Sequence, residues 1–393
     1  MMRPFNTRIH HALAARTEQG LYRQRSPLSR LDNGRVARQQ PYVNFSSNDY
    51  LGLAQSPALI TAWQEGLSRY GAGSGASPLV TGYHAPHLEL EAQLADWLGF
   101  DRALLFNSGF SANQALLFTL LEKGDVLLQD KLNHASLMEA GMLSEATMRR
   151  FAHNNPTALA RLLAQASRRM DSDSDAKPNT LVVTEGVFSM DGDVAPLAEL
   201  HRVAMPQALL AVDDAHGCGV LGEQGRGSCA AAGIKPDILI VTFGKAFGLQ
   251  GAAILCDHAI AEYLIQFARH YIYSTAMPPA QAYALSRACR LIQQEEWRRE
   301  VLRDLGGLLK DTLDPAIPLV DTTTPIKPLV LGESQRALSY ADALREQGFW
   351  VSAIRPPTVP QHTARLRITL TAAHQPDDVK QLAVAINEVF YRE

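Results

Sequence analysis

The sequence is poor in sulfur chemistry. Its 393 residues hold four cysteines, Cys218, Cys229, Cys256 and Cys289, and none forms a C-x-x-C pair. A zinc ribbon and a thioredoxin-like redox site are thereby excluded. So few thiols in so long a chain fit a reducing compartment. Charge of one sign is also missing: 37 Lys and Arg against 40 Asp and Glu leave a net charge of −3. No basic field exists to hold nucleic acid or an anionic membrane. A long uncharged stretch, Ala103 to Leu121, is broken by Asn107, Ser108, Gly109, Ser111, Asn113 and Gln114, so it is no membrane span. There is no G-x-x-x-x-G-K-[ST] phosphate loop and no G-x-S-x-G nucleophile elbow. Gly71-Ala72-Gly73-Ser74-Gly75-Ala76 imitates a dinucleotide loop, but it follows a helical pattern and reads as a turn near an active site. The Arg-rich first 25 residues, with Glu18 their one acid, faintly resemble a transit peptide. Ile9, Leu13 and Ala14 lie near helical spacing and favour an amphipathic helix. What remains is a soluble, cytoplasmic protein with enough apolar residues (46%) for a large core in two or three lobes.

Residues 1–50 read as an arm: a helix, then irregular chain through Pro27, Asn33-Gly34 and Pro41. Over residues 51–280, short apolar runs alternate with helical patterns. The runs are Leu104–Phe106, Val126–Leu128, Leu181–Val183, Leu209–Val212, Ile238–Val241 and Ala252–Leu255. Nearly continuous apolar runs mark strands buried on both faces. One helix starts at Ser56-Pro57 and stops near Gly71; another runs from Pro86 to Gly99; a third follows Ser111. This alternation predicts an α/β fold with a mainly parallel sheet. Asp171-Ser172-Asp173-Ser174-Asp175 is a polar link with the spacing of a solvated loop rather than a metal site. Residues 281–393 carry long helices, short strands near Lys327–Leu331 and Leu366–Leu370, and a helix from Asp377. They read as a smaller C-terminal α+β domain.

In open parallel sheets, ligands bind beyond the carboxyl ends of the strands. Four apolar runs are followed there by polar groups: Asn107-Ser108-Gly109-Phe110-Ser111, Thr184-Glu185-Gly186-Val187-Phe188-Ser189, Asp213-Asp214-Ala215-His216-Gly217 and Thr242-Phe243-Gly244-Lys245-Ala246-Phe247-Gly248. Alone, each has an ordinary explanation: a solvated loop lysine, a capping aspartate, a core histidine. Together they suit pyridoxal phosphate. A partly desolvated Lys245 has a lowered pKa and can attack the aldehyde. Asp213 would pair with the ring nitrogen and keep it protonated. His216 would bond the ring hydroxyl. The Gly109 and Phe110 amides at a helix start would bind the phosphate, with Thr242 and Ser189 adding hydroxyls.

The segment Thr242 to Gly251 resembles the lysine signature of class II pyridoxal-phosphate enzymes. Within that class, Asn44 to Gly52, Thr184 to Asp193 and Val212 to Gly217 resemble the α-oxoamine synthases, as do Arg269 to Thr275, Ile354 to Pro360 and Thr363 to Arg367. The resemblance spans nearly the whole chain. It implies a fold type I, aspartate aminotransferase-like homodimer with sites at the subunit interface. It implies decarboxylative condensation of L-alanine with a pimeloyl thioester, carried on coenzyme A or acyl carrier protein. By position, Lys245 matches the cofactor-bonded lysine and base, Asp213 the ring-nitrogen partner, and His134 the histidine stacked on the ring. His216 and Ser189 match cofactor contacts. Arg355 matches the residue that holds the amino-acid carboxylate, and Arg23, Asn48 and Thr358 match substrate contacts. Thr275 matches a phosphate contact reaching in from the partner subunit. Relatives that use glycine usually carry arginine near the position of Pro78; its absence here favours alanine. A glycine C-acetyltransferase-like enzyme and a catalytically silent binding subunit stay open as alternatives, and intact Lys245, Asp213 and His216 argue against the latter.

Overall fold

The computed structural model describes residues 4–167 and 179–392. The Asp171–Asp175 link lies outside them. A seven-stranded sheet runs in the spatial order Arg102–Phe106, Ala252–Cys256, Ile238–Thr242, Leu209–Asp213, Thr180–Glu185, Val126–Asp130, Thr147–Phe151. The last five are parallel to one another, and Ala252–Cys256 is antiparallel to both its neighbours. All six anticipated strands are present. Thr147–Phe151 went unread because it is an edge strand, with Arg149 and Arg150 in place of an apolar run.

Successive strand residues enter opposite cores, as the pleat requires. Leu127, Leu181, Val183, Ala211, Ile238 and Ile240 pack into one cluster. Val126, Leu128, Val182, Leu210, Val212, Leu239 and Val241 pack into the other. Two buried faces explain the unbroken apolar runs. The smaller cluster also takes up the helices Gly109–Leu120 and Ala135–Leu143. On the other side, Pro279–Gln294 packs on Pro57–Tyr70 and Ala85–Leu98. Gly66 permits that approach, since a Cβ there would stand 2.8 Å from the Ala280 carbonyl oxygen. The Gly109 helix begins two residues before Ser111. Ser108 is its cap and accepts from the Ser111 amide at 3.1 Å.

A three-stranded antiparallel sheet, Ile326–Gly332, Ala364–Thr369 and Ser352–Ile354, forms the C-terminal region. The stretch read as irregular chain is instead a hairpin. Asn33 and Gly34, with φ of 55° and 69°, turn between Ser29–Arg30 and Arg35–Ala37. Two left-handed residues match the right-handed twist of a hairpin. Pro41–Asn44 continues this sheet and pairs in parallel with Phe349–Trp350, so the arm is stitched to the C-terminal region. The helix Pro4–Glu18 forms as anticipated, but Phe5, Ile9 and Leu13 are exposed along it. No helix among the described residues is long and apolar enough to cross a membrane.

Candidate active site

The parallel strands deliver chemistry at their carboxyl ends. Side by side across the edge stand Thr242, Asp213, Glu185 and Asp130, each the last residue of its strand. Over the first three opens a cavity of about 210 Å³. Lys245, Asp213, His216, His134, Thr242, Gly109 and Phe110 all line it. The structure thus brings together most of the residues named from the sequence.

Each side chain has a local reason for its position. Lys245 follows the Ile238–Thr242 strand and donates from Nζ to Thr242 Oγ1 at 3.1 Å. Desolvation lowers its pKa, while Asp213 and Glu185 pull the other way. Asp213 accepts from Asn113 Nδ2 at 2.8 Å and from the Ala215 amide at 3.1 Å. Asn113 Nδ2 also donates to Ser136 Oγ, and Ser136 Oγ bonds His134 Nδ1 at 2.8 Å. A polar chain therefore runs from His134 to Asp213 beneath the cavity. His216 is buried, with Nδ1 2.6 Å from the Tyr50 hydroxyl. Burial holds its pKa well below the usual range, helped by the charges of Lys245 and Arg367. Burial, then repulsion from Asp213, holds Glu185 well above the usual carboxylate range.

The donor set fits pyridoxal phosphate. Lys245 offers an amine, Asp213 a buried carboxylate, and the first turn of the Gly109 helix offers amides without intrahelical partners. A Cβ at Gly109 would lie 2.6 Å from Thr242 Cγ2, so only glycine lets that turn meet the strand end. The Oδ1 of Asn113, on the cavity wall, is buried without a hydrogen-bond partner.

Other named residues lie elsewhere. Arg355 donates to the Gly20 carbonyl at 2.7 Å and is not on the cavity wall. Arg23 and Thr358 are exposed. Thr275 lines a separate pocket, where its carbonyl accepts from Asn107 Nδ2 at 2.8 Å. Ser189 contributes its carbonyl to Arg367 Nε at 2.6 Å. Arg367 went unremarked as a site residue. It is 6% exposed, donates to Asn48 Oδ1 at 3.0 Å, and lies 3.5 Å from the Tyr50 hydroxyl that bonds His216. The alternation Ala364-Arg365-Leu366-Arg367-Ile368-Thr369 was the available signal, because it puts two arginines on one face of a strand. Tyr50, Asn113, Ser136 and Glu185 were missed as supporting groups; their polarity alone did not distinguish them.

A parallel sheet closed by an antiparallel strand, with a lysine and an aspartate at adjacent strand ends, is the architecture of fold type I pyridoxal-phosphate enzymes. The model of the aminotransferase class I and II family matches residues 40–386, and the chain belongs to that family. It is 66% identical over 392 residues to an 8-amino-7-oxononanoate synthase of Photobacterium profundum, covering 100% of this chain and 99% of the relative. Among solved structures it resembles the 8-amino-7-oxononanoate synthase of Francisella tularensis, with a TM-score of 0.75, 34% identity, and coverage of 89% of this chain and 98% of that one. It also resembles a serine palmitoyltransferase from S. paucimobilis solved with bound PLP and myriocin, with a TM-score of 0.88, 27% identity, and 98% and 97% coverage.

Proposed function

We propose that this chain condenses L-alanine with a pimeloyl thioester. The products are 8-amino-7-oxononanoate, carbon dioxide and the free carrier thiol, as in biotin biosynthesis. The enzyme is a pyridoxal-phosphate-dependent acyltransferase. The observation that carries this reading is the convergence of Lys245, Asp213, His216, His134 and the Gly109 helix start on one cavity, in a chain so close to synthases of that name. When bound, the cofactor supplies an electron sink for the carbanion left when a proton or carbon dioxide departs the amino acid's α-carbon.

The protein residues divide the remaining work. Asp213 would hold the ring nitrogen protonated, and Asn113 fixes the carboxylate that would do so. The Gly109 and Phe110 amides, with Thr242, hold the phosphate. Lys245 anchors the cofactor. Its amine would also take the α-proton of the bound alanine, and its lowered pKa keeps neutral amine available. His134 lines the cavity, near enough to Lys245 and Asp213 for their charges to act on it, and would stack on the cofactor ring. Arg367 does not line the cavity itself, but it lies against the Tyr50 hydroxyl that bonds His216, and its charge reaches Lys245; it is the buried cation assigned to the alanine carboxylate, which a guanidinium binds bidentately. Asn48 and Tyr50 steady it. Arg355, Arg23 and Thr358, on the outer side, suit the far end of the acyl chain or its carrier.

The working form is a homodimer with shared sites. Thr275 sits outside this chain's own cavity, and Leu79, Val80, Phe110 and Tyr273 are exposed apolar groups that a second copy would cover. The reading is tested by the absorbance change of the cofactor-loaded protein on adding L-alanine, glycine or L-serine. L-alanine should give the largest change, and a pimeloyl thioester should then release carbon dioxide. Preference for glycine or L-serine would overturn the substrate assignment.

A further inference from the structure

Beyond the cavity, the same sheet edge carries a second polar cluster, half-buried and built on the buried Asp130, with no part in the chemistry above. Asp130, 0% exposed, accepts from the Leu132 amide, from His153 Nδ1 at 2.9 Å and from the Asn154 amide at 2.8 Å. The other face of the imidazole reaches across: His153 Nε2 lies 2.8 Å from Asp193 Oδ2, which also accepts from Asn154 Nδ2 at 2.6 Å. Asn154 holds φ at 51° to make both bonds. Phe188 packs edge-on against the imidazole at 4.4 Å. One histidine thus ties a strand end to both ends of the 188–193 loop.

That loop is gripped from its opposite side by the C-terminal sheet. Arg367 donates to the Ser189 carbonyl, Arg365 pairs with Asp191, and Thr324 Oγ1 donates to the Gly192 carbonyl at 2.8 Å. Gly192 has φ of 69°, and a Cβ there would stand 2.5 Å from the Ile326 carbonyl oxygen, so the loop has no room to slide. The Ser189 carbonyl, Asn48 Oδ1 and the Tyr50 hydroxyl orient the Arg367 guanidinium.

We propose that His153 is a positioning residue: clamped between Asp130 and Asp193, it fixes the 188–193 loop, and through the Ser189 carbonyl it holds Arg367 behind the cavity wall, against the Tyr50 hydroxyl that bonds His216. The second half rests on Arg367 as the partner of the alanine carboxylate. The imidazole bridges two carboxylates, so its charged form is the one the site holds. Burial opposes that charge, yet the two hydrogen-bonded carboxylates raise its pKa to about 10.

The test compares His153→Ala and His153→Gln with the parent protein. Amide exchange of residues 186–193 is measured first, in the cofactor-free chain. His153→Ala should speed exchange there by about tenfold or more, the scale of one lost charged hydrogen bond. Exchange in the Leu209–Asp213 strand should not change. His153→Gln, which keeps an N–H donor, should recover part of the protection. In the loaded enzyme, His153→Ala should raise KM for L-alanine by about tenfold and leave KM for the thioester within about twofold. Combined with Arg367→Ala, it should add nothing further. Loop exchange as slow as in the parent, or faster exchange throughout the chain, would overturn the latch. An alanine KM unchanged by Arg367→Ala would overturn the carboxylate reading, and with it the second half of the proposal. Multiplicative effects in the double variant would show that His153 does not act through Arg367.

Discussion

Two halves of one sheet edge use the same material differently. At one half, Asp213 and Glu185 end neighbouring strands beneath a cavity. At the other, Asp130 ends the next strand beneath His153. The closed half is paired at its ionisable groups: both imidazole nitrogens face carboxylates and the histidine is held charged, although Asp193 Oδ1 and Asn154 Oδ1 are buried without a partner. The open half is not. Glu185 is driven toward its neutral form, and Lys245 and His216 are desolvated and pushed toward neutrality beside each other. Buried groups held against their preferred charge cost stability unless a ligand completes them. The contrast therefore locates the ligand. Where the ionisable groups pair with one another the cluster holds the fold together, and where they do not a ligand completes them.

The contrast can be broken most severely at Lys245. Lys245→Ala should reduce turnover by at least about 10³-fold, because nucleophile and base are lost together. The cofactor-free variant should melt no lower than the parent. A steady-state assay with a melting curve checks both halves of that expectation. Removing a charge from the closed half should do the reverse. Asp130→Asn leaves His153 half-paired, and it should cost about 3 kcal/mol in denaturant unfolding of the cofactor-free chain. A loss as small as that of Lys245→Ala would erase the distinction between the halves.

Asp213→Asn should lower kcat on the order of 10²-fold, the scale of a charged hydrogen bond, with little change in melting. Arg367→Ala should raise KM for L-alanine by about 10–100-fold, and the same change at Arg355 should have the smaller effect. The opposite ranking would return the carboxylate role to Arg355. The smallest effect is in pH. A pKa raised from 6.5 to about 10 means that His153 stabilises the folded state fully below pH 6.5. That contribution is lost as pH rises through about 10. Protection of residues 186–193 should fade over that window, after correction for intrinsic exchange, and His153→Ala should flatten the profile.

The sheet was legible because its strands are buried on both faces, so each appears as an unbroken apolar run such as Ile238 to Val241. The open half of its edge was legible too, since strand ends followed by Asp213 and Lys245 are local in sequence. What could not be read depends on pairings between distant segments. Arg367 meets Ser189 across 178 residues, and Asp193 meets His153 across 40. No periodicity announces either contact. The Asn33-Gly34 hairpin was readable from its turn residues and was passed over because its strands are only two and three residues long. Arg355 is where the resemblance puts it in the chain, and its guanidinium donates to the Gly20 carbonyl.

The most direct measurement is the stoichiometry of the reaction itself. The cofactor-loaded protein is given L-alanine and pimeloyl-coenzyme A, and carbon dioxide, free thiol and 8-amino-7-oxononanoate are quantified together. The parent protein should give equal amounts of all three, and Lys245→Ala none. Thiol release without carbon dioxide, or equal turnover by Lys245→Ala, would contradict that expectation.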